Sequence, residues 1–207
     1  MLIGLTGGAG SGKSSVAKLL RKQGVKILDL DKVIMTIYKE KGEVFNLLVE
    51  TCGEGILKNG EIERNYLRDK LRKLSEKKKN FLKQRELDEI KKRIEEFKEK
   101  HKLKKRTVLE GARILEDNIK TDKLILLVCK PQLRKERIRQ RNKGIPEEII
   151  NKIVQGQLTN KAAKLKAKEN FPKENLLIVK NESNLKVVVE KINKKFRIVN
   201  NEKTDLQ

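Results

Sequence analysis

The chain has 207 residues, enough for one domain with a buried core, and its apolar content of 37% with only 3% aromatics and no tryptophan makes Leu, Ile and Val the core material. A formal net charge of +22, from 51 basic and 29 acidic residues, suits polyanionic partners such as phosphorylated small molecules or nucleic acid. Two cysteines, Cys52 and Cys129, and one histidine, His101, exclude a disulfide framework or a His/Cys metal cluster.

LIGLT (2–6) opens the chain as a short apolar strand. It is too short for a signal peptide, and no later apolar run nears the roughly 20 residues that cross a bilayer, so a cytoplasmic chain without a membrane partner is expected. GGAGSGKS (7–14) follows directly and fits the phosphate-binding loop pattern, with a strand before it and an amphipathic helix, KSSVAKLLRKQG (13–24), beginning at its end. Glycines let such a loop turn its backbone N–H groups inward, and a helix start adds unpaired donors. In that setting Lys13 bridges the β- and γ-phosphates of ATP, and the Ser14 hydroxyl ligates Mg²⁺. Val16, Leu19 and Leu20 share the helix's apolar side, and Gly24 ends it.

VKILD (25–29) reads as the second strand and delivers Asp29 and Asp31 to its carboxyl end, where open α/β sheets bind ligands. A carboxylate there can accept the proton of an attacking hydroxyl. If Asp31 instead starts a helix, one acid touches substrate and the other caps. Residues 68–106 read as one long helical region, with Leu87, Ile90, Ile94 and Phe97 in helical step and a net charge of +10. TVLE (107–110), LILLVC (124–129) and LLIV (176–179) complete five strands, nearly continuous in apolar character as a parallel sheet demands. Alternation of strand and helix gives an α/β doubly wound fold.

Residues 130–168 carry a net charge of +9, and NKGIPEE (142–148) divides them into two helices. Arg134, Arg137 and Arg141 lie along one face of the first. With Arg113 and Arg139 they favour planar, bidentate recognition of phosphate, as an arginine lid over a triphosphate would supply. A solvated charged face is the plainer reading. The two basic stretches hold 19 of the 22 net charges, so the excess is local. NNEKTDLQ (200–207) is a polar tail.

IGLTGGAGSGKSSVAKLLRKQGVKILDLD (3–31) closely resembles the opening of dephospho-CoA kinases, which pair a GLTGGIGSGKST-type loop with a strand ending in D-A-D. The resemblance continues through CGEGILKNGEIERNYLRDKL (52–71), VLEGARILE (108–116), QLRKERIRQRNKGIPEEIINKI (132–153) and IVKNESNLKVVVEKI (178–192), and so covers most of the chain. It implies a P-loop NTPase fold: a five-stranded parallel sheet flanked by helices, with a helical insertion and a lid. Within a kinase domain of residues 1–199, the core would span about 1–60, 107–130 and 170–199, the substrate-binding insertion about 61–106, and the lid about 131–169.

The implied reaction moves the γ-phosphoryl of MgATP to the ribose 3′-hydroxyl of dephospho-CoA, the last step of coenzyme A synthesis. By motif position, Gly7, Gly8, Gly10, Ser11, Gly12, Lys13, Ser14 and Ser15 bind ATP with Arg137 and Arg141 from the lid. Asp31 is the general base, with Lys13 and the lid arginines catalytic; Thr6, Asp29, Asp31, Glu110 and Arg113 face the substrate. Dephospho-CoA is then the expected partner, with neither membrane nor nucleic acid, for a monomer or weak homo-oligomer.

Four departures fall on the acceptor side or lid. Met35 stands where the family carries arginine, no His-Pro pair occurs in KQRELDEIKKRI (83–94), Glu110–Ile114 replaces D-V-P-L-L, and Ala167-Lys168 replaces an A-D pair. A P-loop kinase for a nucleoside or nucleoside monophosphate is therefore the near alternative. A nucleotide-dependent RNA-binding protein is the distant one, disfavoured by two tyrosines and five phenylalanines that do not cluster.

Overall fold

A computed structural model describes residues 1–101, 106–182 and 184–199. The polar tail 200–207, the last residues of the expected insertion (102–105) and Ser183 of the closing family motif lie outside the described residues. The chain forms two compact units, Met1–Leu28 with Leu103–Gln207, and Asp29–Lys102. The second therefore begins well before the 61–106 insertion expected from sequence.

The first unit is built on a five-stranded sheet in the order β2-β5-β1-β6-β7, where β1 is Leu2–Thr6, β2 Ile27–Asp29, β5 Thr107–Glu110, β6 Lys123–Val128 and β7 Leu176–Lys180. The β1–β5, β1–β6 and β6–β7 pairings are parallel. All five strands stand where the apolar runs put them, with ends shifted by one or two residues. β2 starts late because the Val25 N–H still bonds the Leu20 carbonyl, closing helix α1 (Lys13–Lys22).

β1 and β6 are apolar along almost their whole length because helices cover both faces. Ile3, Leu5, Ile125 and Leu127 meet Val16, Ala17 and Leu20 of α1 and Val188, Val189 and Ile192 of α9 (Leu185–Phe196) in one cluster. From β1 the chain leaves through α1 toward β2 and later crosses to β6 on the other side. β1 is thus a switch point, with the glycine loop at its carboxyl end.

The stretch after β6 forms three helices rather than the expected two: α6 (Pro131–Arg141), α7 (Glu147–Gln155) and α8 (Asn160–Asn170). The extra break follows from Gly156 and from Thr159, whose hydroxyl caps α8 by accepting from the Ala162 N–H at 3.2 Å. Ala163 and Ala167 are buried where α8 lies against β6 and β7.

The second unit holds α2 (Leu30–Ile37), α3 (Glu43–Cys52), a hairpin of β3 (Leu57–Lys58) and β4 (Glu61–Ile62), α4 (Arg64–Arg72) and α5 (Glu76–Lys100). Asn59 and Gly60 form the two-residue turn of the hairpin, both at positive φ. The expected long helical region is broken at 73–75, because the Ser75 hydroxyl accepts from the Lys78 N–H and starts a new helix. Ile90 and Ile94 face inward on α5 as their spacing requires, where α5 lies against α2 and α3. Tyr38, the C-cap residue of α2, donates to Glu86 on α5 at 2.7 Å. Cys52 and Cys129 are both buried free thiols.

Ile125 in β6 is fully buried. Ile125→Ala is expected to lower unfolding free energy by about 2–5 kcal/mol, with the transition midpoint in urea as the readout.

Candidate active site

The chain leaves β1 at Thr6 and turns through Gly7–Gly12 into α1. Gly7, Gly10 and Gly12 take φ values of +147°, +75° and +92°. Space is as restrictive as torsion. A Cβ on Gly7 would lie 2.3 Å from the Leu127 carbonyl oxygen, on Gly8 2.2 Å from Arg134 Nη2, on Gly10 2.5 Å from the Arg134 carbonyl oxygen, and on Gly12 2.1 Å from Asn181 Nδ2. The glycines are thus required by the protein packed behind the loop, in addition to any ligand in front of it.

Five successive loop carbonyls each meet a side-chain donor. Lys13 Nζ donates to the carbonyls of Gly7 at 2.7 Å and Gly8 at 3.3 Å. Arg134 Nε donates to Ala9 at 2.8 Å, Arg137 Nη1 to Gly10 at a long 3.4 Å, and Asn181 Nδ2 to Ser11 at 2.8 Å. On the donor side, the Ala9 N–H bonds Gln157 Oε1 at 2.7 Å and the Ser11 N–H bonds the Gly8 carbonyl at 3.0 Å. The N–H groups of Gly10, Gly12 and Ser14 have no acceptor among the described residues. Together with the positive end of α1 they form a set of donors for an anion.

Each donor is itself positioned. Asn181 follows β7; its N–H bonds the Val128 carbonyl at 2.9 Å, and its carbonyl accepts Arg137 Nη1 at 3.0 Å. Arg134 is buried, and Gln157 Oε1 accepts its Nη2 at 2.7 Å. That burial lowers the Arg134 pKa from the ordinary arginine value. Burial likewise raises the pKa of the Cys129 thiol, against the opposing pull of nearby Arg137, which touches Sγ at 3.5 Å.

The structure brings together Gly7 to Ser15 and Arg137, but not every residue expected there. Arg141 lies in the last turn of α6, exposed and without a hydrogen bond or ion pair among the described residues. At about 1.5 Å of rise per residue it stands roughly 6 Å farther along α6 than Arg137, beyond the part of the helix that meets the loop. Thr6 is buried, and its hydroxyl donates to the Ala112 carbonyl at 3.2 Å. Glu110 is buried beside Arg21 of α1 at 3.6 Å, and Arg113 pairs with Asp117 at 2.9 Å.

Of the two aspartates, Asp29 caps α2 by accepting from the Lys32 N–H at 3.2 Å, while Asp31 sits exposed in the first turn of that helix. Arg134, expected with the lid arginines to face phosphate, instead binds the carbonyl side of the loop, and Gln157 and Asn181, which complete it, were not among the expected site residues. Asn181 was findable, since it stands at the carboxyl end of a strand beside β6; Gln157 lies between two helices and carries no local signal.

A parallel sheet in this order, with a GxxxxGKS loop at the carboxyl end of its switch-point strand, defines a P-loop nucleotide-binding protein of the small-molecule kinase type. Comparison with known proteins narrows the class. The family model for dephospho-CoA kinase matches residues 1–185, and the chain belongs to that family.

A dephospho-CoA kinase of Fusobacterium nucleatum is 34% identical over 206 residues, covering 93% of this chain and 95% of that protein. One of Aquifex aeolicus is 37% identical over 155 residues, 70% of this chain and 74% of that one. Among solved structures, a Thermus thermophilus protein matches the fold with a TM-score of 0.74 at 21% identity, covering 95% of this chain and 97% of that one. A dephospho-CoA kinase from Campylobacter jejuni does so at 0.59 and 21%, covering 93% and 97%.

Gly24, at φ +83° with nothing within 4 Å of a Cβ, provides the comparison for Gly12. Gly24→Ala is expected to cost about 1 kcal/mol from torsion alone. Gly12→Ala should cost clearly more, about 2–4 kcal/mol, because Asn181 must also move. Denaturant unfolding of the two variants side by side checks the difference.

Proposed function

We propose that this chain transfers the γ-phosphoryl group of ATP to the ribose 3′-hydroxyl of dephospho-CoA. The observation that carries the reading is the loop of five occupied carbonyls with its opposed free amides, in a member of the dephospho-CoA kinase family. Gly8, Gly10, Gly12, Lys13, Ser14 and Ser15 hold the triphosphate. Arg137 steadies the loop and adds positive charge as the β–γ bridging oxygen takes up electrons.

Asp31 is the general base. Its support is that Asp29, the other acid of the pair, already spends its carboxylate on the α2 cap, whereas Asp31 is exposed. The substrate hydroxyl gives its proton to Asp31 as its oxygen bonds to the γ-phosphorus, and the bond from that phosphorus to the bridging oxygen breaks to release ADP. Thr6, Asp29, Glu110 and Arg113 line the acceptor side in this reading.

Among the described residues no three His, Cys, Asp or Glu side chains gather to hold a metal. In this reading a divalent cation would enter with the nucleotide, and the exposed Ser14 hydroxyl at the start of α1 would be the protein group that meets it. Mg²⁺ held there would supply charge neutralisation of the phosphates. The expected setting is the cytoplasm, where ATP is supplied and thiols such as Cys52 and Cys129 stay reduced.

Incubation with MgATP and dephospho-CoA should yield a product heavier by one phosphoryl group on the ribose, identified by mass spectrometry. ADP release without that product would assign the kinase to another acceptor. Asp31→Asn is expected to lower kcat by about 10²–10⁴ with little change in the KM for ATP. Lys13→Met should abolish turnover; near-normal turnover would overturn the loop's role.

A further inference from the structure

Arg134 is 3% exposed, and both of its hydrogen bonds run to neutral oxygens, those of Ala9 and Gln157. Its guanidinium packs flat enough on Gly8 that a Cβ there would lie 2.2 Å from Nη2 and 2.5 Å from Cζ. No acidic side chain pairs with it among the described residues. Cys129, whose charge would act on Arg134, has its thiol pKa raised by burial. A buried cation without a counterion is destabilising, and a neutral side chain could brace one peptide as well. Arg93, by contrast, meets Glu40, Glu89 and Glu96.

We propose that Arg134 is a positioning residue that acts through the loop, and that its counterion is the polyphosphate of the bound nucleotide. Gln157 holds the guanidinium beneath the Gly8 and Ala9 peptides without neutralising it, so that its field reaches the free amides on the other side. Gln157 also fixes the Ala9 peptide by accepting its N–H, so one amide oxygen locks cation and loop together. This inference rests on the reading of the loop as an ATP site and adds two residues to it. Neither residue is spent on contact with ligand; what they set is the charge under the loop.

The test separates charge from scaffolding. Gln157→Glu preserves both hydrogen bonds of Oε1 but gives Arg134 a counterion within the protein. Titration calorimetry should show ATP affinity falling about tenfold, inhibition by inorganic tripolyphosphate weakening in parallel, and the melting temperature unchanged or raised. Arg134→Lys, which keeps the charge, should retain affinity within about threefold, while Arg134→Gln, which removes it, should lose about tenfold. A folded Gln157→Glu protein that binds ATP as tightly as the parent overturns the proposal. So does an affinity loss in Arg134→Lys equal to that in Arg134→Gln. If the unaltered protein itself binds no ATP, the nucleotide reading fails instead, and the two failures are told apart by that control.

Discussion

The structure of the site depends on the fate of five carbonyl groups. A peptide has two polar ends, and fixing one end fixes the direction of the other. Lys13, Arg134, Arg137 and Asn181 take the carbonyls of Gly7 to Ser11, so the peptides between β1 and α1 cannot turn over. Amides left without internal acceptors then face the opposite way, at the positive end of a helix. Preorganisation of this kind matters because donors already aimed at a phosphate need no reorientation when charge moves during transfer.

Seen this way, the glycines answer to their neighbours. The nearest atoms to a Cβ on Gly8, Gly10 or Gly12 belong to Arg134 or Asn181, the same residues that hold the carbonyls. Close packing behind the loop and the absence of side chains on it are one feature. The distribution of charge supports the same division of labour. α5 is rich in lysine, yet Lys79, Lys91 and Lys98 pair with acids three residues earlier on its exposed surface. Such pairs are screened by solvent and contribute little. At the loop the cations are few, drawn inward and set against neutral oxygens, which leaves their field for a ligand.

Much of this was legible in the sequence, for physical reasons that also mark where legibility ends. The five strands declared themselves because a sheet covered on both faces needs continuous apolar runs, and the loop did so because few other structures tolerate four glycines in six residues, from Gly7 to Gly12. Boundaries set by one side-chain hydrogen bond were missed: Ser75 and Thr159 each start a helix where composition alone suggested continuity. The β3–β4 hairpin was readable from Asn59-Gly60 between short apolar flanks but is only four residues of strand. Helical spacing grouped Arg134, Arg137 and Arg141 on one face, correctly; which of them reaches the loop depends on where α6 starts relative to β6, a tertiary fact. Gln157 is placed by the path between two helices and leaves no local mark.

The central claim is that the loop's amides are held ready by contacts on their carbonyl side. Backbone ¹H–¹⁵N spectra of the protein titrated with ATP test it most directly. The account predicts large shifts at the Gly10, Gly12 and Ser14 amides, while the side-chain signals of Asn181 Nδ2 and Arg134 Nε stay close to their ligand-free positions. Binding accompanied by loss of the Asn181 and Arg134 contacts, or with the three amides unmoved, would contradict it.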